Sequence, residues 1–177
     1  MVLGMISVIA LLATPAPDAS PEPDSLVPEL EVFRPFVGTT WRGSFEGASP
    51  NARMQDVSRW ERALNGRAIR ILHSLNDGEY GGESIVMWDR EKGTLTFHYF
   101  TTAGFWTQGT MTREEGGFAS HEFVSGSSGG ITEVRSVSTT LPGGRMSTRS
   151  EYLRNGQWVP GHSVTYVQDP TATVVFR

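Results

Sequence analysis

Cysteine is absent from the 177 residues, which removes disulfide staples, thiol nucleophiles and Cys-ligated zinc together. Lysine occurs once, at Lys92, against 14 arginines, and the 15 basic and 19 acidic groups leave a net charge of −4. A chain of that balance has no cationic surface for phosphate, which excludes nucleic-acid binding as the ordinary reading. The preference for arginine reads as genome base composition rather than as a bidentate anion site. Charged residues make up 19% of the chain, below the usual quarter. No apolar run approaches the ~20 residues that cross a bilayer core. Walker loops, a Gly-x-Gly-x-x-Gly between strand and helix, His-x-His, HExxH and Asn-x-Ser/Thr are also missing.

What is present begins with an uncharged N-terminus. Val2–Ala13 is a mostly apolar run with the length of a secretory h-region, and Thr14-Pro15-Ala16 supplies small residues where cleavage would fall. Cleavage after Ala19 is the alternative. The expectation is therefore a periplasmic or secreted protein, with the cytoplasm as the alternative compartment. Residues 14–28 hold five of the ten prolines, mixed with Asp, Glu and Ser, and cannot bury enough apolar surface to offset ordering. Residues 1–28 thus read as a signal-like segment plus linker, and 29–177 as one domain, large enough for a core of its own. Residues 18–36 carry five acids against Arg34, so 37–177 is electrically balanced. Between Pro28 and Phe36, Leu30, Phe33 and Val37 fall at helical spacing, with Pro28 suited to a first turn and Pro35 to a stop.

From Trp41 onward turn signals recur every 11 to 15 residues, from Asn65-Gly66 and Asp77-Gly78 to Gly143-Gly144 and Asn155-Gly156. Asn-Gly and Gly-Gly accept the positive φ of tight hairpins. The runs between them are rich in Thr, Val, Ile, Phe, Tyr and Trp. They predict ten strands, near 40–46, 56–64, 67–76, 79–90, 94–102, 105–115, 118–126, 131–141, 145–153 and 157–168. Hairpins in succession, with no crossover helix, predict an all-β fold: a single closed antiparallel up-and-down barrel of about ten strands with a short N-terminal helix. A barrel of that strand number leaves room inside for a small ligand, whereas eight strands nearly fill with side chains.

Phe36-Val37-Gly38-Thr39-Thr40-Trp41-Arg42-Gly43 places a Gly, a Trp and a second Gly at the opening of the first strand. That start resembles the calycin group, the lipocalin-like barrels. Trp88-Asp89-Arg90, Thr94–Phe100, Gly104-Phe105 and Gly109 are similar to a bacterial lipocalin-like family of unknown function, and more distantly to nitrobindin-type haem barrels. The spacing here is Gly-x-x-Trp where lipocalins have Gly-x-Trp, and Ser44-Phe45 follows Gly43 where nitrobindins have further glycine. The resemblance covers about residues 30–168. It implies a closed barrel with a central pocket and a tryptophan packed across its closed end. From the haem barrels it implies an axial histidine near the C-terminal strands, for which His162 is the one candidate.

Among polar residues, His73 shares a face with Ile69, Ile71 and Leu75 and is the best internal acid/base or ligand contact. Met87, His98 and Trp106 are taken with it as residues lining the pocket. The five tryptophans and neighbouring aromatics could grip a flat ligand or form core. Gly126–Gly130 matches G-x-S-x-G, but the residues after it read as a strand, not the helix that a nucleophile elbow needs. Glu133 with Arg135, and Arg149 with Glu151, predict a polar ladder, read as outward-facing because Arg and Glu are seldom buried. The leading expectation is a module that binds a small hydrophobic molecule. The alternatives are a haem-dependent or other barrel enzyme using His162 or His73, and a filled barrel whose outer aromatics meet a second copy. An ordered His–carboxylate pair in the lumen would favour the enzyme.

Overall fold

A computed structural model describes residues 24–47, 54–126 and 129–177. Its ten strands are β1 (Thr40–Phe45), β2 (Gln55–Ala63), β3 (Ala68–Leu75), β4 (Tyr80–Asp89), β5 (Thr94–Thr101), β6 (Trp106–Glu114), β7 (Gly117–Ser125), β8 (Ile131–Leu141), β9 (Arg145–Arg154) and β10 (Gln157–Gln168). Every strand pairs antiparallel with its sequence neighbours. β1 also pairs with β10, from Trp41 opposite Gln168 to Phe45 opposite Val164, so the ladder closes. The all-β closed barrel of ten strands expected from the turn spacing is the fold. Its strand ends match because turn residues set them: Asn155 at φ 51° and Gly156 at φ 76° take the left-handed pair of a two-residue hairpin. The signal-like run Val2–Ala13 and residues 127–128 of the G-x-S-x-G pattern lie outside the described residues.

One end of the barrel is sealed by the segment before β1. The expected helix there is a short 3₁₀ helix, Pro28–Phe33, followed by turns to Gly38. Leu30 and Phe33 are fully buried beneath it. The Phe33 ring meets Phe118 edge-on at 5.3 Å and Trp60 at 5.8 Å, while Phe36 lies 5.1 Å from Trp60 and 5.5 Å from Trp41. Trp41 occupies the closed-end place that the resemblance implies, its indole N–H donating to the Thr39 hydroxyl at 2.7 Å. Two bonds hold the plug on the hairpin joining β2 to β3: Val27 N–H to Gly66 O at 3.0 Å and Arg62 Nε to Ser25 O at 2.7 Å. Burial of this aromatic cluster excludes water from the lower barrel and accounts for much of the apolar stabilisation.

After β10 the chain returns along the outside. Arg42 Nε donates to Asp169 Oδ2 at 2.8 Å and Val175 N–H to the Ser74 hydroxyl at 3.1 Å, which explains why Ser74 is buried although it points away from the lumen. The polar ladder faces outward as expected: Arg135 pairs with Glu151 at 3.3 Å and lies 3.7 Å over the Trp158 ring.

Truncation of the plug has a defined cost. Phe33→Ala should lose about 3–5 kcal/mol, from lost transfer energy plus a cavity, and lower Tm by roughly 10 °C. Leu64→Ala, at a side chain 62% exposed, should leave Tm almost unchanged. Equal Tm values for the two variants in a thermal melt would show that the plug does not hold the barrel.

Candidate functional site

Closure makes the strand pleat a property of the whole ring, so alternate residues of every strand face one lumen. Above the aromatic floor of Trp60, Phe97 and Phe118 lies a cavity of about 560 Å³, opening past Phe45, Met54, Leu75, Phe105 and Ile131 at the opposite end. Mid-height, β7 to β9 line it with small hydroxyls, among them Ser120 and Ser136, the latter donating to the buried Ser150 hydroxyl at 3.1 Å. That volume suits a small organic molecule.

Its ionisable side chains form a belt in the open half. Asp56, 3% exposed on β2, accepts the Tyr166 hydroxyl at 2.9 Å on one oxygen and faces His73 Nδ1 at 2.8 Å with the other. His73 Nε2 is 2.7 Å from the Tyr99 hydroxyl, which is 3.0 Å from that of Tyr80. A carboxylate at Asp56 requires the proton on Nδ1 of His73 in either charge state of the ring. Tyr99 gives its one proton to the Tyr80 hydroxyl, so Nε2 donates to Tyr99 when the ring is charged, and a neutral ring accepts from Tyr99 only with the Tyr99–Tyr80 bond reversed. Burial raises the Tyr99 and Tyr166 hydroxyls above the ordinary tyrosine range, and the Asp56 charge adds to this, so both stay protonated hydrogen-bonding groups.

Two glycines make this network possible. Gly43 of β1 stands between Tyr166 on β10 and Asp56 on β2, and a Cβ there would sit 2.6 Å from the Tyr166 ring. Gly82 of β4 stands opposite His73, and a Cβ there would sit 2.4 Å from the Tyr99 ring. In each case the missing side chain lets a tyrosine lie across one strand and reach a partner on the next.

His162 enters the lumen through an irregularity. The β9–β10 register shifts between Pro160 and Ser163, a bulge that turns the imidazole inward against Phe45, with 5.8 Å between ring centres. Its Nε2 lies 3.1 Å from the Ser150 hydroxyl and its Nδ1 is bonded to the Tyr152 hydroxyl. Burial pushes the imidazole below its ordinary value, favouring the neutral ring. Both nitrogens are engaged, so the arrangement does not fit an axial haem ligand. Among the described residues no three His, Asp or Glu side chains converge as a metal site.

Glu122 on β7 is the remaining acid of the lumen, and burial raises its carboxyl above the ordinary range, only partly offset by Thr107 and by His73 across the cavity. No described residue gives that carboxyl a hydrogen bond of good geometry. The neighbouring Thr107 hydroxyl, on a residue 1% exposed, has no well-formed bond either.

Of the residues expected to line the pocket, His73 does so, and so does His162. Met87, His98 and Trp106 do not. They lie on the outer face, Met87 and Trp106 being 40% and 41% exposed, with His98 stacked between Phe100 and Trp106. Their strands carry apolar groups on both faces, so alternation alone did not assign a side. Register does: Ser84, Tyr99, Thr107 and Val124 are directly opposite in succession and share the inner face, which turns His98 and Trp106 outward. Asp56 and Glu122 were missed, and Tyr99 and Tyr166 were read only as aromatics that grip a ligand or form core. Following directly opposite residues outward from the His73 face leads from Ile71 through Ser84 to Tyr99, and from Ile69 through Val86, Phe97 and Gly109 to Glu122.

No family model matches this chain and no curated protein matches it, so the class is defined by geometry alone: a closed ten-stranded β-barrel with one sealed end and an accessible lumen.

The Glu122 environment has a pH signature. Below the ordinary value of 4.5 both folded and unfolded chains hold this proton, and the group is neutral to stability. As pH rises, the unfolded chain ionises first, so the group penalises the fold increasingly until the raised folded value is passed. Glu122→Gln cannot ionise. Its Tm should match wild type near pH 4 and exceed it by a few degrees at pH 8. A variant less stable at pH 8 than at pH 4, relative to wild type, would show instead that the ionised carboxyl is stabilised.

Proposed function

We propose that this chain is a calycin-like, lipocalin-type barrel that binds a small, largely apolar molecule in its lumen. The observation that carries the reading is the cavity of about 560 Å³, open at one end, apolar at floor and mouth, with its hydrogen-bonding groups gathered in one belt. An apolar cleft with a few convergent polar groups is the usual design of a small-molecule site, the polar groups fixing orientation. An open lumen of this size speaks against a barrel filled by its own side chains.

A second reading rests on one contact. The His73–Asp56 pair, at 2.8 Å within the lumen, is the arrangement of a general acid/base. In it Tyr99, bonded to Nε2, would pass the proton to or from a bound molecule. Binding is favoured because both His73 nitrogens are already committed within a closed network running from Tyr166 to Tyr80.

The neutral fluorophore N-phenyl-1-naphthylamine tests the binding reading. Its emission should rise and shift to the blue with wild type, and a Ser120→Trp variant that fills the mid-lumen should bind it at least roughly tenfold more weakly. Ser84→Phe, from the opposite wall, should do the same. No enhancement with wild type, or enhancement unchanged in both folded variants, would overturn the lumen site. We also read the chain as exported, on the apolar run Val2–Ala13. Fractionation that found the full-length chain only in the cytoplasm would contradict this.

A further inference from the structure

Resting on the lumen-binding reading, we propose that the barrel selects an organic cation, an apolar amine whose ammonium group pairs with Glu122. The charge inventory of the lumen carries this. Two carboxyl groups, Asp56 and Glu122, line the cavity, and among the described residues no lysine or arginine does. Asp56 is satisfied, since the Tyr166 hydroxyl and His73 Nδ1 take one oxygen each. Any positive charge on His73 faces that carboxylate at 2.8 Å, and the imidazole of His162 is held toward its neutral form by burial, so neither leaves a free cation for an anionic ligand.

Glu122, half-buried on the cavity wall, has no cationic partner among the described residues: the Thr107 hydroxyl beside it is the group placed to bond its carboxyl, and that buried hydroxyl has no other well-formed bond. A carboxyl drawn into a lumen with so little compensation is costly to ionise, and a ligand that brings the counter-charge recovers that cost on binding. An ammonium supplies both the counter-charge and the N–H donors. The rings of Tyr80, Tyr99 and Tyr152, whose hydroxyls all feel the Glu122 charge, add π faces of the kind that attract cations. A carboxylate or phosphate ligand would instead bring like charge against two acids in a low-dielectric lumen. The floor of Trp60, Phe97 and Phe118 suits a flat apolar body on the other end of the ligand.

Three probes share one ring and differ in charge: tryptamine, neutral 3-ethylindole, and indole-3-acetate. Titration calorimetry at pH 7.5 should find tryptamine bound at least roughly tenfold tighter than 3-ethylindole, as one charge-assisted hydrogen bond would give. Indole-3-acetate should be the weakest. Glu122→Gln should erase the tryptamine advantage over 3-ethylindole. Tryptamine binding no tighter than 3-ethylindole overturns the proposal on wild type alone, and an advantage that survives in Glu122→Gln overturns the assignment to this residue. If N-phenyl-1-naphthylamine binds while tryptamine gains nothing, the cation preference fails and the lumen site stands. If neither the fluorophore nor any indole binds, both fail.

Discussion

Pairing of β1 with β10 as well as β2 joins the two ends of a ten-stranded ladder, and the rest of the structure depends on that closure. In an open sheet each strand's inward face is decided by whatever packs against it. In a closed one the pleat runs continuously around the ring, so one set of side chains becomes a lumen wall and the other an outer surface. Closure also brings Tyr166, near the end of the last strand, within 2.9 Å of Asp56, at the start of the second. The bond crosses β1 at Gly43, the second glycine of the motif that opens the barrel.

Height in the barrel separates stability from recognition. The sealed end is built from Leu30, Phe33, Phe36, Trp41 and Trp60, all nearly inaccessible, and of these Trp60 alone lines the lumen, as part of its floor. The open half holds the titratable side chains, and these are unequally satisfied. Asp56 is embedded in donors, whereas Glu122 and Thr107 face each other without a good bond. Local costs of that kind tend to concentrate where a protein meets its ligand.

Much of the architecture was legible because turns are local. Asn-Gly and Gly-Gly demand positive φ at particular residues, and a row of them dictates hairpin after hairpin with strand ends correct to one or two positions. The site was less legible because facing is not local. His73 was assigned inward from Ile69, Ile71 and Leu75, which alternate cleanly with Arg70 and Ser74. Phe97-His98-Tyr99-Phe100 does not alternate, and there the outward His98 and the inward Tyr99 are separated only by register carried across the turns on either side. For His162 alternation gives two answers, inward counted back from Tyr166 and outward counted forward from Trp158, and the bulge after Pro160 is what separates them. Trp106 and Met87 are apolar yet outward, a reminder that much of any protein surface is apolar.

The methionines offer the most direct test of a ligand seated inside rather than on the barrel. Met111 and Met146 line the lumen near the floor, while Met87 lies on the outer face. A methyl NMR spectrum of protein labelled with 13C at methionine, titrated with N-phenyl-1-naphthylamine, reads both surfaces in one experiment. The structure predicts shifts at Met111 and Met146 with Met87 unmoved. Shifts at Met87 with Met111 and Met146 unmoved would contradict it and place binding on the outer wall.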